Sequence, residues 1–265
     1  MGTEMSLAQS KVARLTLQGV SRTYQEGRRR VDALAPIDLS VEQGEFVTLI
    51  GPSGCGKSTL FNIIAGVDRP DSGQIALDGD LQGDRRGKVG YMPQQPLLLP
   101  WRTVEENVLL GLDVRHVPRG EALQQAHALL ERFGLAEFAE HYPATLSGGM
   151  RQRVALLRTV LFNSSFLLLD EPFGALDALT RIVMQRWLLE LWESFHASVL
   201  FITHDVREAI FLSDRIYVLS ARPARILRSV EVDLPRPRRQ ESLATERALQ
   251  LEQELLELLM KEQTV

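Results

Sequence analysis

The sequence lacks a cysteine pair, a long apolar run and a strong excess of charge of either sign. Its one cysteine, Cys55, cannot form a disulfide within the chain, which fits a reducing compartment. No apolar run approaches the roughly 18 residues that span a bilayer, and residues 1–11 contain no apolar core of a signal peptide. We therefore expect a soluble chain for which any role at a membrane requires a partner protein.

The charge balance argues against one class of partner. The formal net charge of the 265 residues is −4, so electrostatics gives no reason to expect binding to a nucleic acid. No internal repeat and no low-complexity tract occur, and 45% hydrophobic with 24% charged residues are typical of a globular chain. This length can bury a sizeable core in one domain with a subdomain, or in two small domains.

Short apolar runs alternate with helical patterns along much of the chain. Strands are predicted at 14–24, 45–50, 74–77, 166–170, 199–203 and 216–219. Helical patterns separate several of them, at 57–65 and 181–195. This alternation favours an α/β fold with a mainly parallel sheet that helices cover on both faces.

Two stretches differ from this pattern. Residues 95–160 begin with prolines and continue as helices, which indicates a helical insertion between core strands. Residues 234–239 form a polar connector interrupted by prolines, and leucines then recur at helical spacing near the C-terminus, at 251, 255, 258 and 259. We expect a terminal helix there.

A phosphate-binding loop pattern follows the predicted strand 45–50. It reads Gly51-Pro52-Ser53-Gly54-Cys55-Gly56-Lys57-Ser58-Thr59. Glycines let backbone N–H groups surround phosphate oxygens, and the following helix directs its positive end at them. Lys57 supplies a charge for the β- and γ-phosphates, and Ser58 a hydroxyl for Mg²⁺. A glycine turn that merely caps a helix does not require the preceding strand or the Lys-Ser pair.

Two acids end the apolar strand 166–170. Asp170 at the strand end can hold Mg²⁺, and Glu171 can then polarise an attacking water. A solvated strand end is the alternative. What argues against it is the resemblance of Pro172 and Gly174-Ala175-Leu176-Asp177 to a loop of the family named below. A second anion site is indicated at Leu146-Ser147-Gly148-Gly149-Met150-Arg151-Gln152, where serine and two glycines open a helix.

These three segments, in this order, resemble the nucleotide-binding subunits of ATP-binding cassette (ABC) transporters. The resemblance covers residues 14–220, and segments 98–104 and 170–177 look like the importer group for nitrate, sulfonates and taurine. It implies a phosphate-loop NTPase core, an N-terminal antiparallel β subdomain and an inserted helical subdomain. The implied domain is 12–235, with its helical part at about 95–160, followed by the connector and helix 236–265.

The resemblance also implies roles for individual residues. Tyr24 corresponds to the aromatic that stacks on adenine, although an ordinary strand-end tyrosine is the alternative. Gln94 corresponds to the glutamine that reaches Mg²⁺ and water, with Gln95 one position away, and His204 to the histidine that contacts the γ-phosphate. Ser147, Gly148 and Gly149 cover the ATP bound to a second copy, and Asp177 lies in the loop beside them.

The implied function is ATP hydrolysis by a head-to-tail dimer that powers a permease. ATP and Mg²⁺ are the implied ligands, and the implied partners are a second copy, permease subunits and, through them, a solute-binding protein. The implied location is the cytoplasmic face of the cell membrane. An ABC ATPase acting on DNA or ribosomes usually carries coiled-coil insertions or two cassettes, and a non-hydrolysing sensor would lack Glu171 or His204. The sequence lacks such insertions and retains both residues. An ABC-type ATPase in a non-transport role, or one that serves a different class of solute, is kept as the alternative, because the sequence does not name the solute.

Overall fold

The computed structural model describes residues 13–27, 29–81, 83–162, 165–195 and 197–263. Residues 1–11, in which we expect no signal segment, lie outside these ranges, as does residue 12, where the predicted domain begins. Among the described residues, no helix combines the length and the apolar character that crossing a membrane requires.

The described residues form nine strands and seven α-helices. The strands are β1 (Ala13–Glu26), β2 (Arg29–Glu42), β3 (Phe46–Ile50), β4 (Ser72–Leu77), β5 (Gly90–Met92), β6 (Phe166–Asp170), β7 (Ser198–Ile202), β8 (Arg215–Leu219) and β9 (Ile226–Glu231). The helices are α1 (Lys57–Ile64), α2 (Val104–Val114), α3 (Arg119–Arg132), α4 (Gly148–Leu161), α5 (Ala178–Phe195), α6 (Val206–Leu212) and α7 (Glu246–Gln263).

Two sheets organise these strands. An antiparallel sheet has the order β2-β1-β4, and a six-stranded sheet has the order β5-β6-β7-β3-β8-β9. All pairs in the second sheet are parallel except β8 with β9. Because parallel strands end at the same edge, the segments after β3, β5, β6 and β7 all emerge on one side of the molecule.

The parallel strands lie between two apolar layers. All five residues of each of β3, β6 and β7 are buried, as expected for strands covered on both faces. Along β3 the side chains alternate: Phe46 and Ile50 join the core that contains α4, α5 and α6, whereas Val47 and Leu49 join the core beneath α1 and the antiparallel sheet. The predicted α/β fold is confirmed in this arrangement.

Helices α2, α3 and α4 lie within the predicted insertion. Thr103 begins α2 with a capping box. Its hydroxyl accepts from the Glu106 N–H, and the Glu106 carboxylate accepts from the Thr103 N–H. In α4, the hydroxyl of Thr159 donates to the Ala155 carbonyl at 2.9 Å, so this polar residue is accommodated in a buried position. In α7, Leu251 and Leu255 are fully buried.

Sequence analysis missed β2, β5 and β9. In β2, Pro36 interrupts the pattern, and a proline argues against a strand. With only three residues, β5 is too short to show a period. In β9, by contrast, mostly half-exposed or exposed side chains pair antiparallel with β8 at the sheet edge. Neither β5 nor β9 therefore carries an apolar run.

Candidate functional site

The phosphate loop joins β3 to α1 and depends on its glycines. Gly54 and Gly56 have φ angles of 71° and 130°, which side chains rarely adopt. A Cβ on Gly56 would lie 2.8 Å from the Ala33 carbonyl oxygen and 2.9 Å from Leu34 Cδ2. The backbone of the loop therefore approaches β2 more closely than any other residue type permits.

Lys57 places its charge within this loop. Its ammonium donates to the Gly51 carbonyl at 2.8 Å and to the Pro52 carbonyl at 2.9 Å, and the residue is only 7% exposed. The Cys55 side chain is buried in the core beneath the loop, while Ser53 is exposed at its tip. The lysine charge thus lies where a group of backbone N–H donors can share a phosphate with it.

Asp170 presents a buried carboxylate beside the loop. The pKa of the Asp170 carboxyl is raised to about 6, mainly by burial. The neighbouring Glu171 raises it further, whereas a hydrogen bond with Ser58 and the charge of Lys57 lower it. Within the described part of the chain, its Oδ2 atom has no hydrogen-bond partner. A carboxylate and a hydroxyl oxygen at one point are ligands that Mg²⁺ prefers, so these residues fit that ion.

The three predicted catalytic residues, Gln94, Glu171 and His204, meet at the Glu171 carboxylate. Its Oε2 lies 3.3 Å from Gln94 Nε2 and 3.4 Å from His204 Nδ1. The Glu171 N–H donates to the Ile202 carbonyl at 3.0 Å, and the φ of this residue is 47°. This position is strained for a non-glycine residue, and such strain is typical of functional sites. Segments after β5, β6 and β7 therefore meet at one carboxylate oxygen.

The predicted second anion site opens α4. The Ser147 hydroxyl caps this helix by accepting from the Met150 N–H at 3.2 Å. A Cβ on Gly149 would lie 3.2 Å from the Ala175 carbonyl, whereas one on Gly148 would meet nothing within 4 Å. Packing within one protomer thus explains glycine at 149 but does not explain it at 148.

Two further predicted residues have partners inside the protomer. Asp177 is exposed and caps the start of α5. Its carboxylate accepts from the Thr180 N–H at 3.0 Å, and hydrogen bonds with the side chain and the N–H of Thr180 lower the pKa of Asp177. The hydroxyl of Tyr24 donates to Asp68 at 2.7 Å, and the Arg22 guanidinium lies 4.7 Å from the ring centroid.

Tyr24 also interacts with Thr59 in the first turn of α1, and its pKa is raised mainly by burial. The tyrosine ring therefore lies beside the phosphate loop. It is 37% exposed.

Sequence analysis did not assign the helical side chains that hydrogen-bond the backbone of Glu171 and of residues 96–99. Gln152, buried in α4, donates to the Glu171 carbonyl at 3.2 Å. Arg158 donates to the carbonyls of Pro96 and Leu97 at 2.7 and 2.8 Å. Buried Asn107 bonds both the N–H and the carbonyl of Leu99. The available signal was a polar residue on the inner face of each helix, which does not by itself identify its partner.

Comparison with known sequences identifies the family that these motifs resemble. Residues 34–174 match the sequence model described as ABC transporter. The aliphatic sulfonates import ATP-binding protein of Bacillus cereus is 44% identical over 224 residues, 84% of this chain and 88% of that protein. The taurine import ATP-binding protein of Pseudomonas aeruginosa is 43% identical over 225 residues, 85% of this chain and 86% of that protein.

Other relatives extend the comparison. The nitrate import ATP-binding protein of Synechocystis sp. is 43% identical over 221 residues, 83% of each chain. The dimeric structure of a bacterial ABC transporter cassette superposes with a TM-score of 0.75 at 35% identity, covering 82% of this chain and 98% of that one. A dimeric post-hydrolysis cassette bound to ADP and Pi gives the same TM-score at 34% identity and the same coverage. The family resemblance and fold class predicted from sequence are confirmed.

Proposed function

Because the chain belongs to the ABC transporter family, we propose that it is the ATP-hydrolysing subunit of an importer for a small solute. The relatives at 43–44% identity are import ATP-binding proteins for sulfonates, taurine and nitrate, which favours this function over a non-transport ATPase. The observation that carries the catalytic part is the meeting of Gln94, Glu171 and His204 beside the phosphate loop.

In the proposed reaction, the loop N–H groups and Lys57 bind the β- and γ-phosphates of ATP. Ser58 and Asp170 would hold Mg²⁺, which would neutralise negative charge on the phosphates. Glu171, next in sequence, accepts a proton from the water as its oxygen attacks the γ-phosphorus, while the bond from that phosphorus to the β,γ-bridging oxygen breaks and ADP leaves. Gln94 orients the water. His204, whose Nδ1 lies 3.4 Å from the same carboxylate oxygen, keeps Glu171 in place, and its other ring nitrogen donates to the γ-phosphate.

We propose that two copies complete each site. The chain carries one phosphate loop and one signature segment, and its structural neighbours are dimeric cassettes. The open space in front of Gly148 supports a close approach from outside the protomer, here by the triphosphate held on the other copy. The N-terminus of α4 and the Ser147 hydroxyl then face anionic oxygens.

A substitution at Glu171 tests the catalytic assignment. Glu171→Gln should keep ATP binding and slow hydrolysis about 10²–10⁴-fold, because a positioned base is lost. Glu190→Gln is a matched control, since Glu190 is exposed on α5 and pairs with Arg132. Near-normal turnover by the Glu171→Gln variant would show that Glu171 is not the general base and would assign that role to His204.

A surface beside Gln94 supports the proposed permease contact. Leu97 is 61% exposed and Trp101 is 70% exposed, and Arg158 and Asn107 fix the backbone between them. These two large apolar side chains are exposed close together on a fixed segment, which supports a contact with another protein there. Because Gln94 bonds Glu171, movement in the nucleotide site reaches this segment directly.

Cross-linking tests that contact. Cysteines placed at 97 or 101, with buried Cys55 as the only native thiol, should capture a multi-spanning membrane protein in membranes. Trp101→Ala should reduce transport while sparing ATP hydrolysis by the free subunit, and exposed Leu256 on α7 gives a control for substitution. We place the subunit peripherally at the cytoplasmic face of the membrane, with a solute-binding protein delivering solute to the permease. Exclusive capture of proteins without membrane spans would contradict the importer.

A further inference from the structure

The turn between β8 and β9 forms one wall of the phosphate loop. Each of three loop glycines lies against a residue at this turn. A Cβ on Gly51 would lie 3.1 Å from Leu219, one on Gly54 3.8 Å from Arg222, and one on Gly56 3.6 Å from Ala224. Ala224 is also bonded on both sides to β2, with its N–H on the Ala33 carbonyl and its carbonyl on the Ala35 N–H, each at 3.0 Å. The turn therefore links the loop to the antiparallel sheet.

Arg222 reaches the loop directly. Its Nη2 donates to the Gly54 carbonyl at 2.5 Å, although the arginine side chain itself is exposed. In a trans peptide the carbonyl and the next N–H point in opposite directions. Fixing the Gly54 carbonyl thus fixes the Cys55 N–H, which points across the loop to the Pro52 carbonyl at 3.3 Å. Gly54, at a φ of 71°, has no side chain that could restrain this peptide.

The last helix holds the same turn from the other side. The Glu262 carboxylate, in the final turn of α7, accepts from the Ala221 N–H at 3.0 Å. Helix α7 is fixed to the core through fully buried Leu251 and Leu255. A continuous series of contacts therefore runs from the core through α7 and residues 221–222 to the phosphate loop.

We propose that Arg222 is a positioning residue for the phosphate loop, and that α7, through Glu262, sets the affinity of that loop for nucleotide. This inference rests on the proposed function only in that the loop binds ATP. Helix α7 thereby acts on nucleotide binding, although none of the contacts described above joins it directly to the phosphate loop.

Equilibrium binding of Mg²⁺-ADP and Mg²⁺-ATP, measured by calorimetry on the full chain, tests the proposal. Arg222→Ala should raise both dissociation constants about two- to tenfold, the worth of one net hydrogen bond. At saturating ATP the turnover number should stay within about twofold, because the loop still forms when nucleotide fills it. Arg222→Lys, which keeps one donor, should recover part of the affinity. Arg228→Ala is the matched control, because Arg228 bonds α7 through Glu254 at 2.7 Å away from the loop.

Salt separates positioning from simple attraction of phosphate by a cation. At 1 M salt the Debye length is about 3 Å, so a purely electrostatic loss in Arg222→Ala should disappear there. A loss that persists supports the positioning role. Glu262→Ala should weaken binding in the same direction, while Glu262→Gln, which keeps an acceptor oxygen, should bind as the wild type does.

Three results would overturn the inference. They are unchanged binding in Arg222→Ala, a loss that vanishes at high salt, and a lowered turnover number with unchanged affinity. If Arg222→Ala does not fold, the two Glu262 variants decide, and equal affinities for them reject the role of α7. Failure of the wild-type chain to bind ATP would instead contradict the proposed function itself.

Discussion

Replacing Asp170 with asparagine should stabilise the nucleotide-free protein at neutral and alkaline pH. Asp170 is 1% exposed, and its pKa is raised to about 6 chiefly by burial. The folded state therefore binds more protons than the unfolded state between the ordinary pKa of 3.8 and about 6. Stability must fall as pH rises through this window, and the cost is fully present above it.

The size of this cost follows from the two pKa values. The difference between about 6 and 3.8 corresponds to roughly 3 kcal/mol in the free energy of unfolding. The asparagine side chain carries no charge at any pH, so Asp170→Asn should remove most of that cost at pH 8. The gain should shrink towards pH 4, where the wild-type carboxyl is largely protonated in the folded state and its ionisation costs little.

Urea unfolding in EDTA, without nucleotide, measures the effect. The quantity of interest is the difference between wild type and variant at pH 4, 6 and 8, because other titrating groups such as buried Glu208 contribute equally to both. With saturating Mg²⁺-ATP the order should reverse, since the wild type, with its Mg²⁺ ligand intact, gains more binding free energy than the variant. An Asp170→Asn protein that is less stable than wild type at pH 8 in EDTA would refute the reasoning.

Three further substitutions have definite expected outcomes. Gly56→Ala should weaken ATP binding about tenfold or more in calorimetry, because a Cβ there would lie 2.8 Å from the Ala33 carbonyl oxygen and φ is 130°. Gly120→Ala is the control, because a Cβ on Gly120 would meet nothing within 4 Å. Tyr24→Ala should cost about 1–3 kcal/mol in ATP affinity if the ring stacks on adenine, and equal affinity would reject the stacking. Gln152→Ala should lower the turnover number with little change in KM, because the Glu171 carbonyl loses the hydrogen bond that Gln152 donates. Gln125, which bonds Glu121 at the surface, gives the control variant Gln125→Ala, and equal turnover numbers for the two variants would count against this role.

Local patterns in the sequence predict the phosphate loop, the acidic strand end and the helix cap at Ser147. Each of these is a run of adjacent residues whose spacing alone specifies the local geometry. Gly56 illustrates the agreement, since the loop pattern requires glycine and the structure places that residue against β2.

Contacts between distant segments could not be predicted in this way. Glu171 meets Gln94 and His204 only because β5, β6 and β7 are adjacent in the sheet, and the family resemblance rather than spacing suggested their common role. The contact of Arg222 with Gly54 joins residues 168 positions apart, and an exposed arginine in a turn gives no signal of it. Three strands were also missed: β2 contains a proline, β5 is only three residues long, and the mostly half-exposed or exposed side chains of β9 give no apolar run.

The central claim is that one working site needs residues from two copies of the chain. Ser147→Arg alone should bind ATP without turnover, and Lys57→Ala alone should neither bind nor hydrolyse it well. A mixture of the two should recover hydrolysis, because one mixed dimer site combines the intact loop with the intact signature. Steady-state ATPase activity of that mixture is the most direct measurement. Recovery to a substantial fraction of wild-type activity is the predicted result, and no recovery in a mixture whose heterodimers are demonstrated would contradict the claim.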